Sequence, residues 1–109
     1  MANTFKLKTK ANVGVTTVGI YTAPASTTTV VIGITLANTS GAGVNVGVGI
    51  TRAGTTEDVK LLKNAPIPSG SSLEFMAGNK VVLEATDTVT VDSDTNNSVD
   101  AALTIMEIT

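Results

Sequence analysis

The chain has 109 residues and a net charge of −2, only 15% of its residues are charged, and it has neither Cys, His nor Trp. That length makes one domain, 1–109, and an apolar share of 42% with a mean hydropathy of +0.31 suffices for one core and argues against disorder. The missing His and Cys remove the commonest general base, metal ligand and thiol nucleophile together, the few Lys and Arg leave no nucleic-acid footprint, and no run reaches the roughly 18 apolar residues of a membrane-spanning helix.

Thr4 to Lys10 opens the chain with Phe5, Leu7 and Thr9 alternating against Lys6, Lys8 and Lys10. This period of two predicts a first strand or an extended arm over residues 1–10. The three lysines share one face, which suits either a solvated face or an acidic partner. The start, MANTFKLKTK, has no apolar core segment, so no signal peptide is expected. Val15 to Thr22 reads as a second strand, and Pro24 fixes the turn after it.

Thr28 to Thr39 is the longest uncharged, proline-free run, and its Val, Ile and Thr residues fit a pleated surface. It predicts a central strand with Val30, Ile32, Ile34 and Leu36 on one face, leaving through a turn at Asn38-Thr39-Ser40-Gly41. Val44, Val46, Val48 and Ile50 then alternate with Asn45, Gly47, Gly49 and Thr51, a half-buried strand whose glycines permit close backbone approach. Leu61 and Leu62 break the alternation of the next strand and predict a bulge. Pro66-Ile67-Pro68-Ser69-Gly70 reads as a rigid connection. Ser71 to Met76 and Lys80 to Glu84 are short strands around a turn at Ala77-Gly78-Asn79, and Ala85-Thr86-Asp87 is a corner. Val89 and Val91 point inward from the next strand, Asp94-Thr95-Asn96-Asn97 reads as a hairpin loop, and Val99, Ala101, Leu103 and Ile105 alternate in the last strand. Met106 and Ile108 have the opposite parity, so that strand either bulges or is covered on both faces near its end.

About eight short strands with turn signals about every 8–12 residues, and no helix, define an all-β fold: a single antiparallel sandwich, immunoglobulin-like or jelly-roll.

Chemistry-bearing motifs are few. Ser and Thr abound, yet a hydroxyl needs an activating base and no Lys or carboxylate is paired with one, so no enzyme, catalytic residue or cofactor is expected. Asp92, Asp94 and Asn96 have the spacing of the first half of a calcium loop, but Asn97 and Leu103 stand where that loop needs Gly and Glu. Side chains bonding nearby backbone explain the segment better than an ion site reaching Asp100. Gly41-Ala42-Gly43 and Gly47-Val48-Gly49 lack the following helix of a dinucleotide fingerprint.

Tyr21-Thr22-Ala23-Pro24, the TTTVV run from Thr27 to Val31, Ala37-Asn38-Thr39-Ser40, Pro66 through Leu73 and Leu83 through Val89 occur in an order and spacing that resembles small virion structural proteins of tailed bacteriophages, particularly those of marine and cyanobacterial hosts. The resemblance spans about Tyr21 to Thr109. It implies a virion part assembled in the host cytoplasm: a capsid decoration (cement) protein or, alternatively, a tail, neck or fibre-associated module. It further implies other virion proteins as partners, the major capsid protein first, and a homo-oligomer with a trimer favoured; neither nucleic acid nor membrane is expected to bind. Phe5, Leu7, Met106 and Ile108 are the candidate protein-interface residues, with Phe5 and Leu7 either inserting into a neighbour as an arm or lying in the chain's own core on an ordinary edge strand.

Overall fold

The alternating segments form strands throughout in a computed structural model, which describes residues 3–55, 57–75 and 80–109. Among these residues nine strands occur: β1 (Asn3–Val13), β2 (Val18–Thr22), β3 (Thr28–Asn38), β4 (Val44–Arg52), β5 (Glu57–Ile67), β6 (Ser72–Phe75), β7 (Val81–Leu83), β8 (Thr88–Ser93) and β9 (Val99–Ile108). They make two antiparallel sheets. The larger has the order β1-β9-β3-β6, with β7 also pairing with β3, and the smaller has the order β2-β8-β4-β5. If β6 and β7 are taken as two pieces of one edge strand, this interleaved order is that of a jelly roll, which decides between the two sandwich types the sequence allows.

The topology corrects one expectation directly. β8 belongs to the smaller sheet and β9 to the larger, so Asp94-Thr95-Asn96-Asn97 crosses between sheets and is no hairpin. Turn-forming residues announce a reversal of the chain but not which sheet receives it. β4 and β5, by contrast, are neighbours in sequence and paired in space.

Why each strand buries the face it does follows from its bulges. In β3 the register against β9 shifts between Val31 and Gly33, so Thr29 and Val31 face the core before the bulge and Ile34, Leu36 and Asn38 after it. The expected single row of Val30, Ile32, Ile34 and Leu36 is thereby broken: Val30 and Ile32 are only half-buried. One inserted residue exchanges the faces of everything beyond it. The bulge expected at Leu61 and Leu62 is present, with two register shifts in β5 against β4 and Asn64 in the left-handed region at φ 54°. β5 also runs on through Pro66 to Ile67. It is an edge strand, where proline's missing donor is tolerated. β9 keeps a regular alternation to its end, so it does not bulge; Met106 and Ile108 lie on its outer face. The turn expected at Ala77-Gly78-Asn79, and Met76 before it, lie outside the described residues.

The core between the sheets is aliphatic: Leu36, Leu83, Leu103 and Ile105 are fully buried, with Val46, Val48, Val89, Val91 and Val99 around them. Asn38 closes one end. Its Nδ2 donates to the carbonyls of Ala42 (2.8 Å) and Ile67 (2.9 Å), and its Oδ1 accepts from the Ser40 amide (2.9 Å). The exit turn is thus fixed by a buried side chain whose polar atoms are all paired, the arrangement burial requires.

Candidate assembly surface

The four expected interface residues come together on one surface, the outer face of the larger sheet. Cross-strand pairing aligns Phe5 of β1 with Met106 of β9, Met106 with Val30 of β3, and Val30 with Val82 of β7. Directly paired residues share a face, so these four form a continuous apolar row across the whole sheet. Leu7 flanks it on β1, opposite Thr104, and Ile108 lies one step further on β9. Ile32 adds a half-buried side chain at the bulge. Phe5 is 69% exposed, Leu7 64% and Val82 59%. β1 is therefore an edge strand, as one reading of the sequence has it, but Phe5 and Leu7 are out of the core. A contiguous exposed apolar patch of this kind marks a contact surface more often than scattered apolar residues do.

Sequence reasoning missed Val30 and Val82 as members of this row. Strand order is what joins them to Phe5 and Met106, and no local pattern carries strand order.

Under the row, β1 is clamped to the body. Lys6, Lys8 and Lys10 pair opposite Ile105, Leu103 and Ala101, so they occupy the inward side of β1, yet all three remain at least partly exposed because β1 lies at the sheet's rim. Lys6 Nζ reaches Glu107 Oε1 at 2.9 Å. Glu107 is buried, and its Oε2 accepts a 2.6 Å hydrogen bond from the Tyr21 hydroxyl, which shares a further 2.8 Å bond with Thr29. The bond from Lys6, then that from Tyr21, holds the Glu107 carboxyl below its usual range. Burial first, and the Glu107 hydrogen bond second, push Tyr21 up to about 12. Tyr21 stands on β2 and Glu107 on β9, so this network also ties the two sheets together. The alternation Ala101, Leu103, Ile105, Glu107 carried the signal: it sends an acidic residue inward.

Other polar clusters are structural ties. Arg52 Nε donates to Asp87 Oδ2 (3.1 Å) and the guanidinium also pairs with Glu84, closing the corner between β7 and β8 beside a groove of about 410 Å³ lined by Ile50, Val59 and the β7 edge. The acidic segment mostly ties distant parts of the chain, not its own backbone as the sequence reading has it. Asp92 accepts from Thr17 (3.0 Å), Asp94 from the Asn45 amide (3.1 Å) and Asp100 from the Asn12 amide (3.0 Å). Among the described residues no three Asp or Glu side chains gather as metal ligands.

Comparison with known proteins supports the fold. No family model and no curated protein matches the sequence. Solved structures do. A chain of the disulfide-linked pili that form Bacillus endospore appendages is 18% identical over 99% of this chain and 87% of its own, with a TM-score of 0.57. A chain of the T13 particle of infectious bursal disease virus (IBDV) is 13% identical, with a TM-score of 0.59 over 96% of this chain but only 30% of its own length. A chain of the cyanophage Pam1 capsid is 12% identical over 96% of this chain and 84% of its own, with a TM-score of 0.51. Capsid and pilus chains thus share the β-sandwich found here.

Proposed function

We propose that this chain is a virion structural protein, a capsid decoration protein that seats the outer face of its larger sheet on the head shell and stabilises it. The observation that carries this reading is the apolar row Phe5, Met106, Val30, Val82, which spans the sheet from edge to edge with both its ends, Phe5 and Val82, exposed. The phage-type sequence resemblance and the sandwich shared with viral capsid chains support it. A structural role also fits the ties made by Lys6, Arg52, Glu84, Asp87 and Glu107. Its copies form trimers at shell three-fold positions, where weak contacts repeated by symmetry add up, and the major capsid protein is the partner.

A second reading, a tail, neck or fibre-associated module, is favoured by one observation: the likeness to a pilus-forming chain extends over nearly all of both chains. Light scattering during size-exclusion chromatography separates the two. A trimeric mass is expected. A six- or twelve-membered ring, or a filament, would move the protein to the tail or to an appendage.

A further inference from the structure

We propose that the free edge of β1 accepts an extended segment of a partner protein in which acidic and apolar residues alternate, added as a sixth strand to the larger sheet. This deepens the decoration reading and rests on it for where the segment comes from, namely the shell.

The backbone sets the first requirement. β1 is eleven residues long, and among the described residues its strand partner is β9 alone, on one side. The other side presents alternate N–H and C=O groups to solvent. Water can solvate both kinds of group, but among ligands a strand pairs with both in register, whereas a phosphate or lipid headgroup accepts from N–H and leaves the carbonyls to water.

The side chains set the second. A strand laid against residues 4–10 meets Lys6, Lys8 and Lys10 on one face and Phe5 and Leu7 on the other. Three of the chain's seven basic residues are concentrated there, on a protein of net charge −2. Lys6 is held by Glu107, whereas Lys8 and Lys10 form no ion pair among the described residues. Carboxylates opposite the lysines and apolar residues opposite Phe5 and Leu7 complement the edge on both faces. The same apolar residues extend the outer row, so edge and face form one continuous surface.

The charge pattern also rejects a second copy of this chain as the occupant. Two β1 strands paired antiparallel about a two-fold axis, with their outer faces aligned, match even positions to even positions. In the registers that overlap most of residues 4–10, lysine then stands directly opposite lysine, which is destabilising. Long unpaired edges are commonly guarded by lysine in this way. Here the guard opposes two-fold pairing of copies through this edge, without bearing on contacts elsewhere, and leaves an acidic strand as the fitting partner.

The test uses the purified chain and three synthetic peptides: one alternating Glu and Val, one alternating Lys and Val, and one with the Glu/Val composition in two blocks. Fluorescence anisotropy reads affinity and amide hydrogen exchange reads location. The alternating Glu/Val peptide is expected to bind about ten-fold tighter than either other peptide, as a few cross-strand charge pairs provide, and to slow exchange at alternate amides within residues 4–10. The double variant Lys8→Glu/Lys10→Glu, with its thermal melt checked against the parent, should reverse the preference to Lys/Val. Equal binding of the alternating and block peptides, protection outside β1, or no binding by about 1 mM would overturn the proposal. A ring-shaped or filamentous oligomer would defeat the head-shell reading without altering the peptide result, so the two failures are distinguishable.

Discussion

The outer faces of the two sheets differ in kind. The smaller sheet presents Thr22, Thr88, Thr90, Thr51, Asp92, Asn45 and Lys60 around Gly47 and Gly49, and it covers itself: a Cβ at Gly49 would lie 2.9 Å from the Val59 carbonyl oxygen and 3.2 Å from Thr90 Oγ1, and one at Gly47 would lie 2.5 Å from Asp92 Oδ1 and 3.3 Å from the Leu62 carbonyl oxygen. The bulged β5 backbone and two side chains occupy the space that side chains at the glycines would need. The larger sheet has apolar side chains along a full row whose two ends, Phe5 and Val82, stay exposed. One face is filled in by the chain itself, and the other keeps Phe5, Leu7 and Val82 exposed; under the proposed function the shell covers it. The jelly roll can afford that open face because Tyr21, Glu107 and Lys6 hold its edge strand from beneath.

This contrast can be broken from below. Tyr21→Phe removes a hydrogen bond to a buried carboxylate and should cost about 1.5–3 kcal/mol, read from urea unfolding. On the closed face, Gly49→Ala must displace β5 backbone and should cost about 1–3 kcal/mol in the same assay.

The clamp also predicts how stability depends on pH. Glu107 titrates below its ordinary 4.5 in the folded chain. Its contribution is complete above that value and is lost as pH falls through the folded value, so acid unfolding should be less steep in Glu107→Gln. Tyr21 is raised from 10.0 to about 12. Its contribution is complete below pH 10 and is lost as pH rises toward 12, an alkaline loss that Tyr21→Phe should lack. Both are checked by thermal melts across pH.

The smallest effect on stability belongs to the open face. Phe5→Ser should change unfolding free energy by no more than about 0.5 kcal/mol, because the ring is already exposed, while reducing attachment to the assembled particle in co-sedimentation. A large loss of stability would mean that the row is packed within the chain after all.

Much of this fold could be read in the sequence because a half-buried strand writes its face in alternation. The segments around Val44 to Thr51 and Val99 to Ile105 show this, as does the doubled leucine that marks the β5 bulge. The β3 bulge could not be read, since Val30 to Leu36 is apolar at nearly every position and one inserted residue leaves no trace there. Sheet membership could not be read either: Asp94 to Asn97 is good turn chemistry for a hairpin and for a crossing between sheets alike. Phe5, Leu7, Met106 and Ile108 were accessible from parity at the two ends of the chain. Val30 and Val82 joined them only through strand order, while the inward Glu107 was readable from the same alternation as Leu103 and Ile105.

Hydroxyl-radical footprinting of the protein on the particle from its own source, compared with the free protein, tests the central claim most directly. Phe5, Leu7, Met106 and Val82 are expected to become protected while Val15, exposed elsewhere, keeps its reactivity. Protection of the threonine-rich face, with Phe5 and Met106 as reactive as in the free chain, would contradict it.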